Sequence, residues 1–258
     1  MTAVGAAAGG AVLAFVGVRL AFALDALSFV ASALLIASLR TATATAARAD
    51  EEAVDAGFRE GLRYLAAHQR TAAVLLVKGM LGVALADTFI VLYGTRVFPR
   101  GEGGGASLGL LWTSFGLGAL LGPTLLNLVN DGTVRRMRRL VVVSASGISL
   151  GLALLGLAPT LGTAGVALVL RGMGGATNWT YSTVILQKVV PNRLLGRVIA
   201  LDLASLTLTA SFFALFWGWL VDQAGLRATV LAVAMASLLP LLAWTLALPW
   251  MERNARTH

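Results

Sequence analysis

Apolar residues run through this chain in long stretches separated by short polar connections, and the lengths of those stretches constrain the fold first. A helix that crosses about 30 Å of hydrocarbon needs about 20 mostly apolar residues. Stretches of that length occupy 20–39, 72–98, 108–129, 140–158, 161–189, 198–221 and 226–248. An earlier apolar run, 3–17, would be only about 22 Å long as a helix. It reads as a cut span rather than a signal peptide, because no basic stretch precedes it and no cleavage site separates it from the next run. The pattern predicts eight membrane segments, the first incomplete, in an all-α, polytopic transmembrane bundle.

One connection is long. Its small polar start, 41–49, reads as a flexible linker, after which Asp50, Glu51 and Glu52 suit the positive end of a helix. Val54, Phe58, Leu62 and Leu65 then share one face, with Arg59, Arg63 and Arg70 elsewhere. This predicts an amphipathic helix lying at the headgroups, with regulatory docking as the alternative. The connection divides the chain into a hairpin (1–40), a linker with its amphipathic helix (41–71) and a six-helix unit (72–258).

Composition agrees with lipid as the solvent. The hydrophobic set makes up 58% of residues and charged residues 12%, against roughly a quarter charged in a soluble domain. There is no cysteine, so disulfide scaffolds and thiol chemistry are excluded. The net charge of +8 does not mark a nucleic-acid binder, because the bases fall between apolar runs. Taking loops alternately, 14 Lys and Arg lie on one side and 4 on the other, which predicts both termini on the cytoplasmic side of the plasma membrane.

Charge inside the spans is the strongest chemical signal, since an ionisable group at mid-bilayer costs about 2.5–3.5 kcal/mol on insertion scales and normally faces a cavity or a partner. Arg171 lies about 15 Å deep, and Gly174, Asn178 and Ser182 fall on its helix face, a stripe expected to line a central cavity. Asp87, about 13 Å deep, and Asp25, about 8 Å deep, are its candidate partners and candidate proton carriers. A structural ion pair without a transport role is the alternative. Lys78 and Asp87 stand on opposite faces, Lys78 is expected to snorkel, and Asp202, close to the cytoplasmic edge, to reach water.

Small residues supply helix contacts in lipid, and two such faces stand out: Gly5, Gly9 and Gly10, and Gly116, Gly118 and Gly122, with Pro123 marking a possible bend. Trp112, Trp179, Phe212 and Phe216 are candidates for stacking on a substrate, while Trp217, Trp219, Trp244 and Trp250 fit interfacial anchoring. Enzyme chemistry finds little support. The histidines are His68, in the long connection, and His258, at the chain's end, and the 101–105 glycine run has no preceding strand and no following Lys. No cofactor or metal is implied.

Particular motifs add a resemblance. Gly5-Ala6-Ala7-Ala8-Gly9-Gly10 through Val18-Arg19-Leu20-Ala21-Phe22 and Asp25-Ala26-Leu27-Ser28-Phe29 is similar to the fifth and sixth helices of the major facilitator superfamily. Gln187-Lys188-Val189-Val190-Pro191 with Gly196-Arg197-Val198 resembles its loop between helices ten and eleven. Gly218-Trp219-Leu220-Val221-Asp222 with Gly225-Leu226-Arg227 resembles the turn after helix eleven. The branch most similar holds the enterobactin exporter and macrolide efflux proteins. Against that pattern Ala6 replaces a proline and Asn127 a glycine, while Asp131 and its basic cluster remain.

The resemblance implies a two-lobed secondary carrier, with Gly5, Gly9, Gly10, Asp131, Pro191, Gly196, Arg197 and Asp222 at motif and gating positions. The family's first four helices have no counterpart here. The implied activity is proton-coupled efflux of a small amphipathic molecule, with lipid, substrate, protons and a missing amino-terminal half as partners. The alternative is a truncated or split half without independent transport.

Overall fold

The computed structural model of the chain describes residues 18–38, 58–84 and 87–252, and every regular element among them is helical. In chain order they are α1 (Val18–Ser38), α2 (Phe58–Ala67), α3 (Gln69–Val83) and α4 (Asp87–Leu92), the last running into a π turn at Tyr93–Val97. A short 3-10 turn, Glu102–Gly104, leads to α5 (Gly105–Asn127), α6 (Val134–Gly156), α7 (Leu161–Val189), α8 (Asn192–Ala224) and α9 (Leu226–Glu252). Five stretches are long and apolar enough to cross a membrane: Gln69–Val97, Glu102–Asn127, Val134–Gly156, Asn192–Ala224 and Leu226–Glu252. The chain is a polytopic helical membrane protein. The apolar run at 3–17, with Gly5, Gly9 and Gly10, lies outside the described residues, as does the stretch 50–57.

The helices follow the apolar runs but begin earlier, because polar flanking residues cap them. Thr133 accepts the Arg136 N–H at 3.1 Å, so α6 starts at Val134 rather than near Leu140. Pro191 stands at the N-cap of α8, where its missing N–H forfeits no intrahelical bond, and the helix starts at Asn192 rather than Val198. This extension moves Asp202 from the rim to ten residues inside the helix, about 15 Å.

At 29 residues, about 44 Å, α7 is long enough to span and is the most enclosed helix. It packs between α5 and α6, while α6 also packs on α9, and α3 on α8. Glycines decide these approaches. A Cβ on Gly118 would overlap the Val169 carbonyl oxygen and one on Gly122 that of Met173, while in the other direction Gly172 meets the Phe115 carbonyl oxygen. On the opposite side Gly151 lies against the Arg171 backbone, and Gly174 against the Ser144 carbonyl oxygen. Lipid provides no hydrophobic gain for pressing helices together, so backbone contact through small residues supplies the attraction. The predicted face of Gly116, Gly118 and Gly122 is therefore buried, and α5 continues through Pro123 to Asn127.

Helix α2 docks on the amino-terminal end of α8. Gly61 and Leu65 are buried, with Leu201 and Arg197 standing 3.1 and 3.4 Å from where a Gly61 Cβ would lie. Glu60 pairs with Arg197, while Phe58 and Leu62 stay exposed. At the same end Arg135 and Arg139 grip Glu252, Arg138 donates to the Met251 carbonyl at 3.0 Å, and Lys188 donates to the Gly132 carbonyl at 3.0 Å.

Candidate functional site

The most unusual local feature is where α3 ends. Ala84 (φ −102°, ψ 22°) leaves helical geometry, its N–H turns to the Leu81 carbonyl, and α4 begins only at Asp87. Carbonyls at a helix end have no intrahelical partner and carry partial negative charge. Two side chains from distant helices satisfy them: Trp217 Nε1 donates to the Val83 carbonyl at 2.9 Å, and Arg171 Nη2 to the Ala84 carbonyl at 2.7 Å. A Cβ at Gly175 would crowd Arg171 Nη1, so the glycine leaves room for the guanidinium in this position. The guanidinium also stands 5.9 Å from the Phe115 ring centre.

Arg171 is buried, as its depth predicts, and among the described residues it donates to a backbone carbonyl rather than to a carboxylate. Asp87 is exposed and acts on the guanidinium only through space. Asp25 falls within α1, with its side chain outside the described part of the structure. The rest of the Arg171 stripe lies inside the lobe. Gly174 touches α6, and Ser182 donates to the Trp179 carbonyl at 3.0 Å. Asn178 borders a cavity of about 10 Å³, at the lower limit for one water, opposite Ser237.

The expectation for Lys78 and Asp202 is corrected. Lys78 does not snorkel and Asp202 does not reach water: they form an ion pair at 2.5 Å, with side chains 2% and 0% exposed. Lys78 also donates to Thr183 Oγ1 at 2.9 Å and stands 4.5 Å over the Trp179 ring centre. The legible signal was depth. Lys78 lies about 14 Å from the start of α3 and Asp202 about 15 Å from the start of α8, once α8 is begun after Pro191, so the two fall at one level. Trp217 and Trp244 likewise are buried donors rather than interfacial anchors, Trp244 Nε1 reaching the Arg138 carbonyl at 3.1 Å.

Between α4 with its π turn and α8 lies an open cleft of about 240 Å³, walled by Thr88, Phe89, Arg96, Trp217, Gly218 and Asp222. Trp217 thus joins the cleft to the end of α3. Among the other motif positions, Asp131 is a turn residue whose carboxylate accepts the Thr133 N–H at 2.9 Å and hydroxyl at 2.7 Å. These bonds hold its carboxyl below the usual range. Gly196 has nothing within 4 Å of where its Cβ would stand.

Lipid-length helices, a lobe knitted by glycines, and buried charge at an interrupted span define a membrane transporter, a reading in which interrupted helices hold polar groups inside the bilayer. The family is shown directly: the sequence profile of the transmembrane secretion effectors matches residues 1–258, and the chain belongs to that family, a transporter of the major facilitator kind. No curated protein and no solved structure matches the chain.

Proposed function

We propose that the chain exports a small amphipathic molecule across the plasma membrane in exchange for protons, with both termini cytoplasmic. The observation that carries this reading is the end of α3, where a buried arginine and a tryptophan hold two released carbonyls beside Asp87 and the cleft. A helix interrupted within the membrane can bend there, and its bend changes the cleft wall that α4 forms. Asp87, Arg171, Asn178 and Ser182 are the pathway residues, with Asp25 on α1. Exposed Asp87, Thr88, Arg96 and Asp222 support a wet face turned toward the second lobe that rocking requires.

The test is efflux of ethidium, a lipophilic cation, from cells expressing the full chain, with and without a collapsed proton gradient. Gradient-dependent export that falls at least tenfold in Asp87→Asn is the expected result. Export insensitive to both changes would remove proton coupling through Asp87. A chain that inserts and folds but exports nothing would favour a half-carrier without independent transport.

A further inference from the structure

We propose that the Lys78–Asp202 pair takes up the driving proton, Asp202 as acceptor and Lys78 as a cation that changes partners. This rests on the proton-coupled reading above but moves its chemistry to a different pair of helices. Stability alone does not account for the pair, because a buried ion pair rarely outperforms apolar side chains of the same volume. Intramembrane charge without a stability rationale points to function.

The geometry provides both states. Lys78, on α3, touches Asp202 of α8 at 2.5 Å and Thr183 of α7 at 2.9 Å, with the Trp179 ring face 4.5 Å away. When a hydronium ion on the open side gives its proton to Asp202, one hydronium O–H bond breaks as one forms on the carboxyl, water leaves, and the carboxylate charge is lost. The ammonium keeps its charge and retains the Thr183 hydroxyl and the Trp179 face. So α3 keeps its side-chain tie to α7 and loses its ion pair with α8, while Ser205 and Trp217 of α8 still hold the Leu75 and Val83 carbonyls of α3. Release of the proton to the other side restores the pair. Because α3 is the helix that ends at Ala84, the change of partner acts on the segment leading to the cleft.

Among the described residues few other charges compete. At this level α3 presents Lys78, and α7 presents Thr183 and Trp179 without charge. Helix α2 contributes Glu60, engaged by Arg197, and the charges of α9, Arg227 and Glu252, lie at its ends. Asp202 Oδ1 has no hydrogen-bond partner among the described residues, which leaves an oxygen open to protonation. Trp179 is 43% exposed, so the ammonium's alternative site borders the outside of the lobe.

The test is an infrared difference spectrum, acid minus neutral pH, of the full chain purified into lipid vesicles. Beside the bands of exposed carboxyls, the wild type should show the separate, higher-frequency C=O band of a newly protonated carboxyl shielded from water. Asp202→Asn should lose it, Asp202→Glu should keep it at a displaced frequency, and Glu102→Gln, at an exposed turn, should leave it unchanged. Lys78→Met should move the band's midpoint toward neutral pH by at least tenfold in proton concentration, since removing the cation favours the neutral acid. A wild-type spectrum without the band, or one that survives in Asp202→Asn, would overturn the proposal. Ethidium export is read separately: a band without export counts against the export reading alone, and export without a band against this one alone.

Discussion

Gly151 tests whether helix approach governs the position of the buried arginine. In Gly151→Ala the added Cβ would lie 2.6 Å from the Arg171 backbone nitrogen, 2.8 Å from its Cα and 2.9 Å from the Ala167 carbonyl oxygen. Ordinary contact begins at 3.4 Å, so α6 and α7 must part by about 0.8 Å. Overpacking of this kind costs about 1–3 kcal/mol. If α7 yields, Arg171 moves with it, and its 2.7 Å bond to the Ala84 carbonyl stretches toward the 3.5 Å limit, adding about 1–2 kcal/mol. The expected total is about 2–5 kcal/mol, read from reversible unfolding in mixed micelles by circular dichroism. Gly218→Ala is the control, because nothing lies within 4 Å of that Cβ, and it should be neutral or up to about 1 kcal/mol more stable. A Gly151→Ala loss below about 0.5 kcal/mol, indistinguishable from a neutral surface change, would refute the packing argument.

Other outcomes follow from single contacts. Trp217→Phe keeps the ring but strips the donor from the buried Val83 carbonyl, so unfolding should cost about 1–3 kcal/mol less, with faster hydrogen exchange at the end of α3. Glu60→Gln removes the charge that faces Arg197 in a partly exposed pair, and thermal unfolding at low salt should show a loss below about 1 kcal/mol that shrinks as salt is added. The Asp131 carboxyl is held low by Thr133, so its stabilising effect is full above the ordinary carboxylate range and fades as pH falls through the lowered value. The thermal midpoints of wild type and Asp131→Ala should therefore differ at neutral pH and converge in strong acid. Gly196→Ala should leave the thermal midpoint unchanged or higher, so any accompanying loss of ethidium export would report a requirement for motion at that position.

The lipid-spanning helices were legible because their signal is long and local: about 20 apolar residues in a row need no knowledge of neighbours. So was the glycine face of α5, since small residues at short intervals have one common use in lipid. Helix starts were less legible. Thr133 and Pro191 place them upstream of the apolar runs, and the six residues gained by α8 carry Asp202 into the interior. The burial of Arg171 was legible, and its bond to the Ala84 carbonyl was not. Counting along one helix finds charges that need company, but not a carbonyl freed where another helix stops.

Amino-acid order alone settles that this chain dissolves in lipid as stacked helices, because transfer out of water depends on each segment's own composition. Which buried groups meet depends instead on the rotation and register of one helix against another. In a bilayer the lipid-facing and core-facing sides are both apolar, so periodicity says little about that rotation. Backbone overlaps at Gly118, Gly151, Gly172 and Gly174 set it, and from them follow the meeting of Lys78 with Asp202 and of Arg171 with Ala84.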